Sequence, residues 1–374
     1  MITIKEVSTR KMRHQFVSFP LELYKGNPYF VPPLYGDEMK VFSKKNAYYK
    51  TSTSSFFLAY DGDKVVGRIS GIIQNQSNEK TGEKRARFTR FDTIDSQEVA
   101  DALFAAVEQW ALANGMVSIC GPLGYSDLER EGLLIEGFDY IATFEEQYNY
   151  EYYGRLIENC GYAKEIDWLE YRLYKPDSLD PTLDRVATAA MEKFRLHLGT
   201  GRNKRHYINK YKDGIFHCLD EGYKVLYGTV PFTKEMKQQI ITQFMYLLSL
   251  KFMITVCDEK ENVIAFGLSV PSLGPAFQKS GGRLTPGAIT KMIKILRKPD
   301  VIDLGLIAVL PEYQSFGINA IILRELILGM MRENISYCET NLNLENNTKV
   351  QAQWKFFPKE QHKKRRSYLK IISR

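Results

Sequence analysis

The sequence predicts a protein of the α/β (α+β) class that is built from two domains. Its 374 residues exceed the roughly 100–200 residues of one ordinary domain. Segments with the alternation of strands and segments with the periodicity of helices follow one another, and the second half repeats the order of the first. A polar segment with two prolines, residues 174–182, lies between the halves and is the best linker candidate. We therefore expect domains at 1–175 and 176–374.

In the first half, local patterns predict alternating strands and helices. An apolar, β-rich stretch is interrupted by Asp61-Gly62-Asp63, which is typical of a hairpin turn. Asp95-Ser-Gln-Glu98 has the spacing of a capping box, with Asp95 as the cap, and Gly115 and Gly161 follow helical patterns. The predicted elements are a hairpin over 54–74, a strand over 86–94, a helix after residue 98, a strand over 116–120 and a helix over 152–159.

In the second half, the same reasoning predicts a basic helical start and then a longer series of elements. These are strands over 216–228, a helix over 234–250, a hairpin over 252–270, a strand over 301–309, a helix over 318–334, a strand over 335–344, a helix over 350–357 and a final strand over 367–372. The basic run Lys363–Arg366 is predicted to form a turn before that last strand.

The composition excludes several classes of protein. Hydrophobic residues make up 44% and charged residues 25%, which is typical of globular chains and not of disordered ones. The cysteines are dispersed without metal-ligand spacing, which argues against a disulfide framework and a structural zinc site, so we predict no metal. The amino terminus has no apolar leader, and no apolar stretch is long enough to span a bilayer. We therefore expect a cytoplasmic protein without a membrane partner.

The net charge of +7 is concentrated in two clusters. Residues 193–212 carry seven Lys or Arg and no acid, and residues 359–374 carry seven with Glu360 as their one acid. Such clusters fit either an anionic ligand or a solvated surface.

The motif that indicates chemistry lies between the strand that ends at Val309 and the helix that begins near Ile318. It reads Val309-Leu-Pro311-Glu-Tyr313-Gln314-Ser-Phe-Gly317-Ile318-Asn319-Ala320. In a strand–turn–helix unit of this kind, backbone N–H groups of the turn and the positive end of the helix dipole can hold a pyrophosphate. We expect Gly317 to let the backbone approach the phosphates closely.

This motif resembles the pyrophosphate loop of the acyl-CoA N-acyltransferase (GNAT) superfamily, V-x-P-x-[YF]-[QR]-x-x-G-[IVL]-[GA]. Asn319 departs from that pattern, because Gly or Ala is usual there. The resemblance implies that acetyl-CoA or another acyl-CoA is the co-substrate. The positions that it implies as contacts of CoA are Ile307, Ala308, Val309, Gln314, Ser315, Phe316, Gly317, Ile318, Asn319 and Ala320.

A second segment, residues 347–357, resembles the N-x-x-A-x-x-x-Y-x-x-x-G-F element of the same superfamily. Asn347 is retained, which implies a contact with the pantetheine arm. Val350 replaces the family's Ala, Trp354 replaces the Tyr that lies beside the leaving thiolate, and no Gly-Phe follows. The resemblance therefore implies Asn347 and Trp354 as further CoA-binding residues.

The first half is similar to the same pattern in a weaker form. Its loop at 92–97 has no glycine and carries Asp92 and Asp95, which we expect to repel a pyrophosphate. The resemblance thus implies two GNAT-like domains, each a mixed, mostly antiparallel sheet flanked by helices, of which only the second binds CoA. Fem-type aminoacyl-tRNA-dependent transferases have a similar doubled arrangement. On this reading, Lys363–Arg366 serves the nucleotide end of CoA or the surface.

The resemblance implies an N-acyltransferase, and in the first place an N-acetyltransferase, that acylates a small-molecule or peptide amine. Two alternatives stay open: a Fem-type transferase that draws its acyl group from aminoacyl-tRNA, and a non-catalytic GNAT-like binding module. Nucleic acid is expected as a partner only under the first alternative. The chain is expected to be a monomer or a homodimer.

Catalysis needs a base for the amine and a proton for the departing thiolate. In the family the strands at 301–309 and 336–344 splay apart, and the carboxylates on or beside them are Asp303, Glu339 and Glu345. We take Glu339 as the candidate base. Because an indole cannot usefully give up its proton, Trp354 is a poor acid, and Tyr368 on the last strand is the candidate in its place.

Overall fold

The computed structural model describes residues 1–143, 145–245 and 247–372, and it confirms the α/β class. The chain divides into two compact units. The first contains residues 1–169, residues 273–290 and the segment that begins at Lys363, and the second contains residues 170–272 and 291–362. None of the described helices is both long and apolar enough to cross a bilayer.

The first unit is a mixed sheet with helices around it. Its strands are β1 (Ile2–Glu6), β2 (Ser52–Asp61), β3 (Lys64–Gln74), β4 (Arg85–Thr93), β5 (Ser118–Gly121) and β6 (Leu133–Glu136), and β7 (Ala163–Tyr174) begins in it. Its helices are α1 (Arg10–Leu23), α2 (Tyr35–Lys40), α3 (Asn75–Thr81), α4 (Gln97–Ala113) and α5 (Tyr152–Asn159). Strands β1 to β4 are antiparallel, and β4 pairs in parallel with β5.

The second unit repeats this arrangement. Its strands are β8 (His197–Leu198), β9 (Met253–Cys257), β10 (Val263–Pro271), β11 (Val301–Val309), β12 (Tyr337–Thr340) and β13 (Asn343–Leu344), and its helices are α6 (Pro181–Phe194), α7 (Lys204–Tyr223), α8 (Lys234–Phe244), α11 (Ile318–Glu333) and α12 (Thr348–Gln351). Helix α9 (Gly274–Phe277) belongs to the first unit. Two elements belong to both units: α10 (Pro286–Arg297) extends across the division at residue 290, and β14 (Lys359–Ile371) extends across the division at Lys363. Strands β8 to β11 are antiparallel, and β11 pairs in parallel with β12.

Each sheet is completed by a strand from the other half of the chain. In the first unit, β14 pairs with β5 in an antiparallel register in which Tyr368 lies opposite Gly121. In the second unit, the end of β7 pairs with β12, and Arg172 lies opposite Glu339. Strand β5, which follows α4, and strand β12, which follows α11, are therefore each paired with a strand from a distant part of the sequence. No local sequence pattern indicates these pairings.

The observed units differ from the predicted ranges of 1–175 and 176–374. The first division falls close to the predicted one, but residues 273–290 pack in the first unit, where the Gln278 amide donates to the carbonyls of Pro28 and Phe30 at 2.8 and 3.2 Å. The segment from Lys363 lies there too, because it pairs with β5. Both differences come from contacts between residues far apart in sequence.

Three local predictions are corrected. Residues 204–223 form the helix α7 and not a strand over 216–228; its buried residues Tyr207, Tyr211, Cys218 and Leu219 recur at helical spacing. Helix α8 ends at Phe244 and not at residue 250. The cap of α4 is Ser96, whose side chain accepts from the backbone N–H of Val99, so the cap lies one residue after the predicted Asp95.

The run Lys363–Arg366 lies inside β14 and not in a surface turn. Lys363 and Arg365 are buried, and the Arg365 guanidinium donates to the carbonyl of Gln147. Lys364 and Arg366 both contact the buried carboxylate of Asp167, at 3.2 and 2.8 Å. The run is therefore a structural element of the first unit, in which an acid of β7 compensates two of its charges.

This ion-pair cluster makes the stability of the fold depend on pH. Burial alone would raise the pKa of Asp167, but hydrogen bonds from Arg366 and Lys164, with that from Lys364, lower it to about 2. Because the folded-state pKa lies below the unfolded value of about 3.9, the stabilisation is complete above about pH 4 and is lost as the pH falls towards 2. We expect Asp167→Asn to lower the free energy of unfolding by about 2 kcal/mol at pH 7, and by progressively less below pH 4.

Urea unfolding at pH 7, 4 and 3 measures this dependence. The control is Asp95→Asn, because the ion pair of Asp95 with Arg155 is half exposed on both sides and should contribute little at any pH. A loss for Asp167→Asn that does not change with pH would contradict the assignment.

Candidate functional site

A bulge in β11 separates this strand from its parallel neighbour β12. The two strands pair from Val301–Tyr337 to Leu304–Thr340 and no further. On the other side of β11, Leu306 lies opposite Leu268 and Leu304 opposite Ser269, so that Gly305 is an extra residue. A bulge bends its strand. As a result β11 leaves β12 directly after the last pair, and a notch opens between residues 305–309 and residues 341–344.

Side-chain amides hold the chain where the strand pairing ends. The Asn341 backbone N–H donates to the Leu304 carbonyl at 3.1 Å, and its side-chain amide donates to the Gly305 carbonyl at 3.2 Å. The Asn343 amide donates to the Asn341 carbonyl at 2.7 Å and to the Thr340 hydroxyl at 3.0 Å. The residues at the mouth of the notch are thus held by hydrogen bonds of asparagine side chains and not by continued backbone pairing between β11 and β12.

A cavity of about 610 Å³ extends from this notch to the turn before α11. Of the residues predicted to bind CoA, those that line the cavity are Ile307, Ala308, Val309, Gln314, Ser315, Asn319, Asn347 and Trp354. The predicted residues that do not line it are Phe316, Gly317, Ile318 and Ala320. The structure therefore brings together β11, the turn before α11 and the segment after β13, which contain the two sequence motifs.

The turn at one end of the cavity has the backbone geometry of an anion site. The Gln314 side chain donates to the Val309 carbonyl at 3.2 Å, and Ser315 has a left-handed backbone with φ of 68°. The N-cap of α11 is Gly317, so no side chain caps the first amides of this helix. Uncapped amides at a helix start, together with the helix dipole, favour a bound anion.

Gly317 is required for packing. Its φ is 80°, and a Cβ at this position would lie 2.8 Å from Cγ1 of Val186 on α6. Glycine therefore lets α6 approach the turn, and Gly317 is not among the residues that line the cavity. Phe316 is half exposed and packs its ring on Phe194, with the ammonium of Lys193 5.3 Å from the ring centroid.

Trp354 and Asn347 both line the cavity but are engaged in the protein. The Trp354 side chain is buried, and its indole N–H donates to the Asn343 side-chain oxygen at 3.1 Å. The Asn347 side chain caps α12 by accepting from the Val350 backbone N–H at 3.3 Å. The indole N–H is therefore not aimed at a ligand.

Glu339, the predicted base, does not line the cavity. Adjacent residues of a strand point to opposite faces, and on β12 it is Thr340 that faces the cavity. Glu339 is buried; one of its carboxylate oxygens accepts from Arg172 at 2.9 Å, and the other lies 2.6 Å from Nε2 of His362. Asp303, its register partner on β11, is buried too. This geometry gives Glu339 a structural role in the sheet.

Tyr368, the predicted acid, belongs to the first unit and does not line the cavity. Its side chain is 1% exposed, and its hydroxyl donates to Glu158 at 3.3 Å. Burial raises the pKa of Tyr368 well above its usual value, and the neighbouring Glu158 raises it further. A phenol in this environment is a weaker acid than an exposed one.

Sequence reasoning missed one wall of the cavity, which the end of α7 forms. The Tyr223 hydroxyl lies 3.2 Å from the Ile307 carbonyl oxygen, to which it donates, and 3.4 Å from the Ile307 backbone nitrogen. Val225 and Leu226 line the cavity beside it. Because residues 216–228 were predicted as strands, Tyr223 was not connected with the site. The helical spacing of the buried residues of α7 was the available signal.

The corresponding position in the first unit is filled by the chain itself. There β4 pairs with β5 from Arg85 to Arg87. Beyond this point the Leu123 N–H donates to the Phe88 carbonyl at 2.9 Å, and Arg87 donates to the Gly124 carbonyl at 3.0 Å. The segment after β5 thus occupies the position that is a notch in the second unit.

Asp92 does not act as the exposed, repelling charge that the sequence suggested. It is buried in β4, its carboxylate accepts from Arg68 at 2.7 Å, and it also accepts from the Tyr24 hydroxyl at 2.9 Å. The filled position, and not repulsion by Asp92, is the structural difference between the two units.

One group of side chains has the composition of a metal site. His197, Cys257 and Glu261 each place one potential ligand atom within 4.8 Å of the others. However, the Lys210 ammonium lies 3.0 Å from the Glu261 carboxylate. Burial, with a smaller contribution from Glu261, raises the pKa of the Cys257 thiol to about 11, which disfavours the thiolate that a metal needs. The group is better described as an ion pair beside a buried thiol.

The chain is similar in sequence to two bacterial proteins. It is 28% identical over 364 residues to protein YghO of Escherichia coli (strain K12), a match that covers 96% of this chain and 92% of that protein. It is 25% identical over 300 residues to the bacterial ceramide synthase of Caulobacter vibrioides (strain NA1000 / CB15N), which covers 78% and 76% of the two chains. No protein-family model matches the sequence.

Solved structures with the same fold are GNAT proteins. A tandem GNAT protein from the clavulanic acid biosynthesis pathway aligns over 100% of this chain and 99% of its own, with a TM-score of 0.59 and 10% identity. A GCN5-related N-acetyltransferase from Sphaerobacter thermophilus aligns over 100% and 96%, with a TM-score of 0.53 and 8% identity. The chain therefore has the GNAT fold in its tandem form.

The buried contacts of Glu339 lead to a prediction about stability. Glu339→Gln keeps the size of the side chain but leaves the charge of Arg172, whose side chain is only 17% exposed, without the Glu339 carboxylate. We expect the free energy of unfolding to fall by about 3 kcal/mol, as measured by urea unfolding. The exposed Glu312→Gln is the control and should change it little. An unchanged stability with lost acyl transfer would instead support Glu339 as the base.

Proposed function

We propose that this chain is an acyl-CoA-dependent N-acyltransferase and that its second unit binds the donor in the cavity beside β11. The observation that carries the proposal is the continuity of this cavity. It joins strand backbone that β12 has left unpaired to the uncapped start of α11. CoA has matching chemistry in the same order: an amide-containing arm followed by a pyrophosphate.

Each part of the donor would be held by a different part of the cavity. The amides of residues 315–319 would bind the pyrophosphate, and the exposed ammonium of Lys349 lines the same cavity and adds a positive charge. The amides of the pantetheine arm would pair with backbone groups of residues 307–309, as an added strand does, and at Ile307 they would displace the Tyr223 hydroxyl from its two backbone contacts. The thioester would then lie towards the mouth at Leu304 and Thr340.

The proposed reaction is direct transfer. The amine nitrogen attacks the thioester carbonyl, the C–N bond forms, the C–S bond breaks, and CoA leaves as a thiolate. The attacking amine gives up one proton and the thiolate takes one. The titratable side chains among the described lining residues are Tyr223, Tyr313 and Lys349. Of these, Tyr223 lies at the strand backbone, and we assign the protonation of the thiolate to its hydroxyl in place of Tyr368.

A long acyl chain and a lipid-like amine are the proposed substrates. A ceramide synthase, as its name states, forms a ceramide, which is the amide of a long-chain amino alcohol, and this chain is similar to such a protein over most of its length. The cavity is lined by aliphatic side chains on four segments, among them Val225, Leu226, Leu306, Leu342 and Val350. Such a lining favours a fatty acyl group over acetyl, since each buried CH₂ contributes about 0.8 kcal/mol.

Acyl-CoA donors from two to sixteen carbons, with a long-chain amino alcohol as acceptor, test the proposal. The release of free CoA thiol and of the amide product is measured. We expect KM for the donor to fall as the chain lengthens. CoA-dependent thermal stabilisation without turnover on any amine would support the non-catalytic module. Stabilisation by aminoacyl-tRNA and not by CoA would support the Fem-type alternative, for which the buried and paired run Lys363–Arg366 offers no exposed track.

The phosphate end of the site is tested by Asn319→Asp. Asn319 is the second residue of α11, where a negative charge favours the helix dipole and should preserve stability. The same charge lines the cavity and would repel a pyrophosphate. We expect the CoA dissociation constant to rise at least tenfold by calorimetry, while Tm stays the same or increases. Gly317→Asp would be a poorer test, because it would clash with Val186.

Asn203→Asp is the matched control. It makes the same chemical change at the start of α7, where the Asn203 side chain already caps the helix and an Asp can replace it. Asn203 does not line the cavity. Equal losses of CoA affinity in the two variants, or none in Asn319→Asp, would place the pyrophosphate elsewhere.

The role of Tyr223 is tested by Tyr223→Phe. Because the ring is retained and only the hydroxyl is removed, a proton donor should lose at least tenfold in kcat with the CoA dissociation constant nearly unchanged. Tyr313→Phe, at the other cavity tyrosine, should leave kcat near the wild-type value. If Tyr223→Phe instead changes only the affinity for CoA, the hydroxyl acts in binding and not in proton transfer.

A further inference from the structure

Helix α10 presents an apolar surface to solvent. Ala288 is its one buried residue, although the helix sequence is PGAITKMIKILR. Ile289 is 38% exposed and Ile293 is 43% exposed, and Leu284, just before the helix, is 56% exposed. Large aliphatic side chains at successive turns of a helix normally face a core. Here they face away from it.

The cations and the aliphatic side chains of α10 lie on different faces. Ile289 and Ile293 are four residues apart and share a face with Leu296, which is half-buried. At about 100° per residue, Lys291 and Lys294 project from the opposite side, Arg297 lies between the two faces, and Lys298 follows directly after the helix. The helix is therefore amphipathic on the part of its surface that is exposed.

The surrounding sequence is positively charged throughout. From residue 262 to residue 299 there is no Asp or Glu. The cations of this stretch are Lys279, Arg283, Lys291, Lys294, Arg297 and Lys298. Within the described ranges, Lys294, Arg297 and Lys298 form no ion pair. The apolar face is thus accompanied by charges that the protein does not neutralise.

We propose that α10 binds the surface of an anionic lipid bilayer. A helix with an apolar face and a lysine-rich polar face lies in the interface plane, with its aliphatic side chains among the acyl chains and its cations at the headgroups. A second copy of this chain fits the surface less well, because it would cover the aliphatic side chains but leave the cations without counter-charges, which anionic headgroups supply. The proposal departs from the expectation that the protein has no membrane partner, and it does not depend on the proposed reaction.

Co-sedimentation of the full chain with vesicles tests the proposal. The vesicles are phosphatidylcholine alone, or phosphatidylcholine with 30% phosphatidylglycerol, at about 50 and 300 mM salt. We expect strong binding to the anionic vesicles at low salt, weak binding at high salt, and little binding to the neutral vesicles. Equal binding to both kinds of vesicle would remove the role of the cations, and no binding at low salt would overturn the proposal.

Two variants separate the charge from the apolar face. Lys294→Ser, Arg297→Ser and Lys298→Ser in combination should weaken binding about 100-fold, which is about fivefold for each charge removed. Ile289→Ser with Ile293→Ser should weaken it at least tenfold and remove the residual binding at high salt. Both variants change exposed positions, so Tm should stay near the wild-type value.

Matched controls change the same residue types at exposed positions far from α10 in the sequence. Lys44→Ser with Lys45→Ser removes two exposed cations, and Leu112→Ser removes an aliphatic side chain that is 44% exposed. Both should bind anionic vesicles like the wild type. Losses equal to those of the α10 variants would indicate a general charge effect. If the wild type is a dimer without vesicles and Ile289→Ser with Ile293→Ser is a monomer, the face is a contact between copies and the proposal fails.

Discussion

The parallel pairing of β11 with β12 ends at Leu304 and Thr340, and the arrangement of the second unit depends on this end point. The bulge at Gly305 turns β11 away, and Asn341 satisfies the carbonyls of Leu304 and Gly305 that a longer ladder would have used. Buried backbone groups need partners, so the strand beyond the bulge needs something to replace β12. The Tyr223 hydroxyl meets this need at Ile307. One residue before the last pair of β11 and β12, Glu339 holds the paired part of the two strands through its contacts with Arg172 and His362.

The two units show how one order of elements can give two outcomes. In both, a strand, a helix and a parallel strand follow one another, and pairing stops after a few residues. In the first unit the next residues, Leu123 and Gly124, return to β4 and occupy the gap. In the second unit the next residues, Asn341 and Asn343, bond to one another and to the strand ends, so that the gap stays open. The difference lies in a few residues after the parallel strand and not in the fold.

Features with local causes could be predicted from the sequence, and features with distant causes could not. The hairpins and the Val309–Ala320 turn depend on neighbouring residues, and the structure has them where the patterns indicated. Gly317 was recognised, but its reason is Val186, more than a hundred residues away. Lys364 and Arg366 were expected at the surface because nothing near them in sequence indicates the buried Asp167. Glu339 and Tyr368 were chosen by residue type, whereas their surroundings depend on which face of a strand is buried and on which partners cross the sheet.

The exchange of closing strands limits how this protein can be made. During synthesis, β5 emerges about 250 residues before the part of β14 that pairs with it. Until then the edge of β5 is unpaired and offers a template to strands of other chains. The edge stays exposed until β14 has been synthesised, unless a chaperone covers it. Two separate halves with these strands would have to exchange their last strands between chains, as a swapped dimer does. In the single chain the exchange takes place within one molecule, so it does not depend on protein concentration.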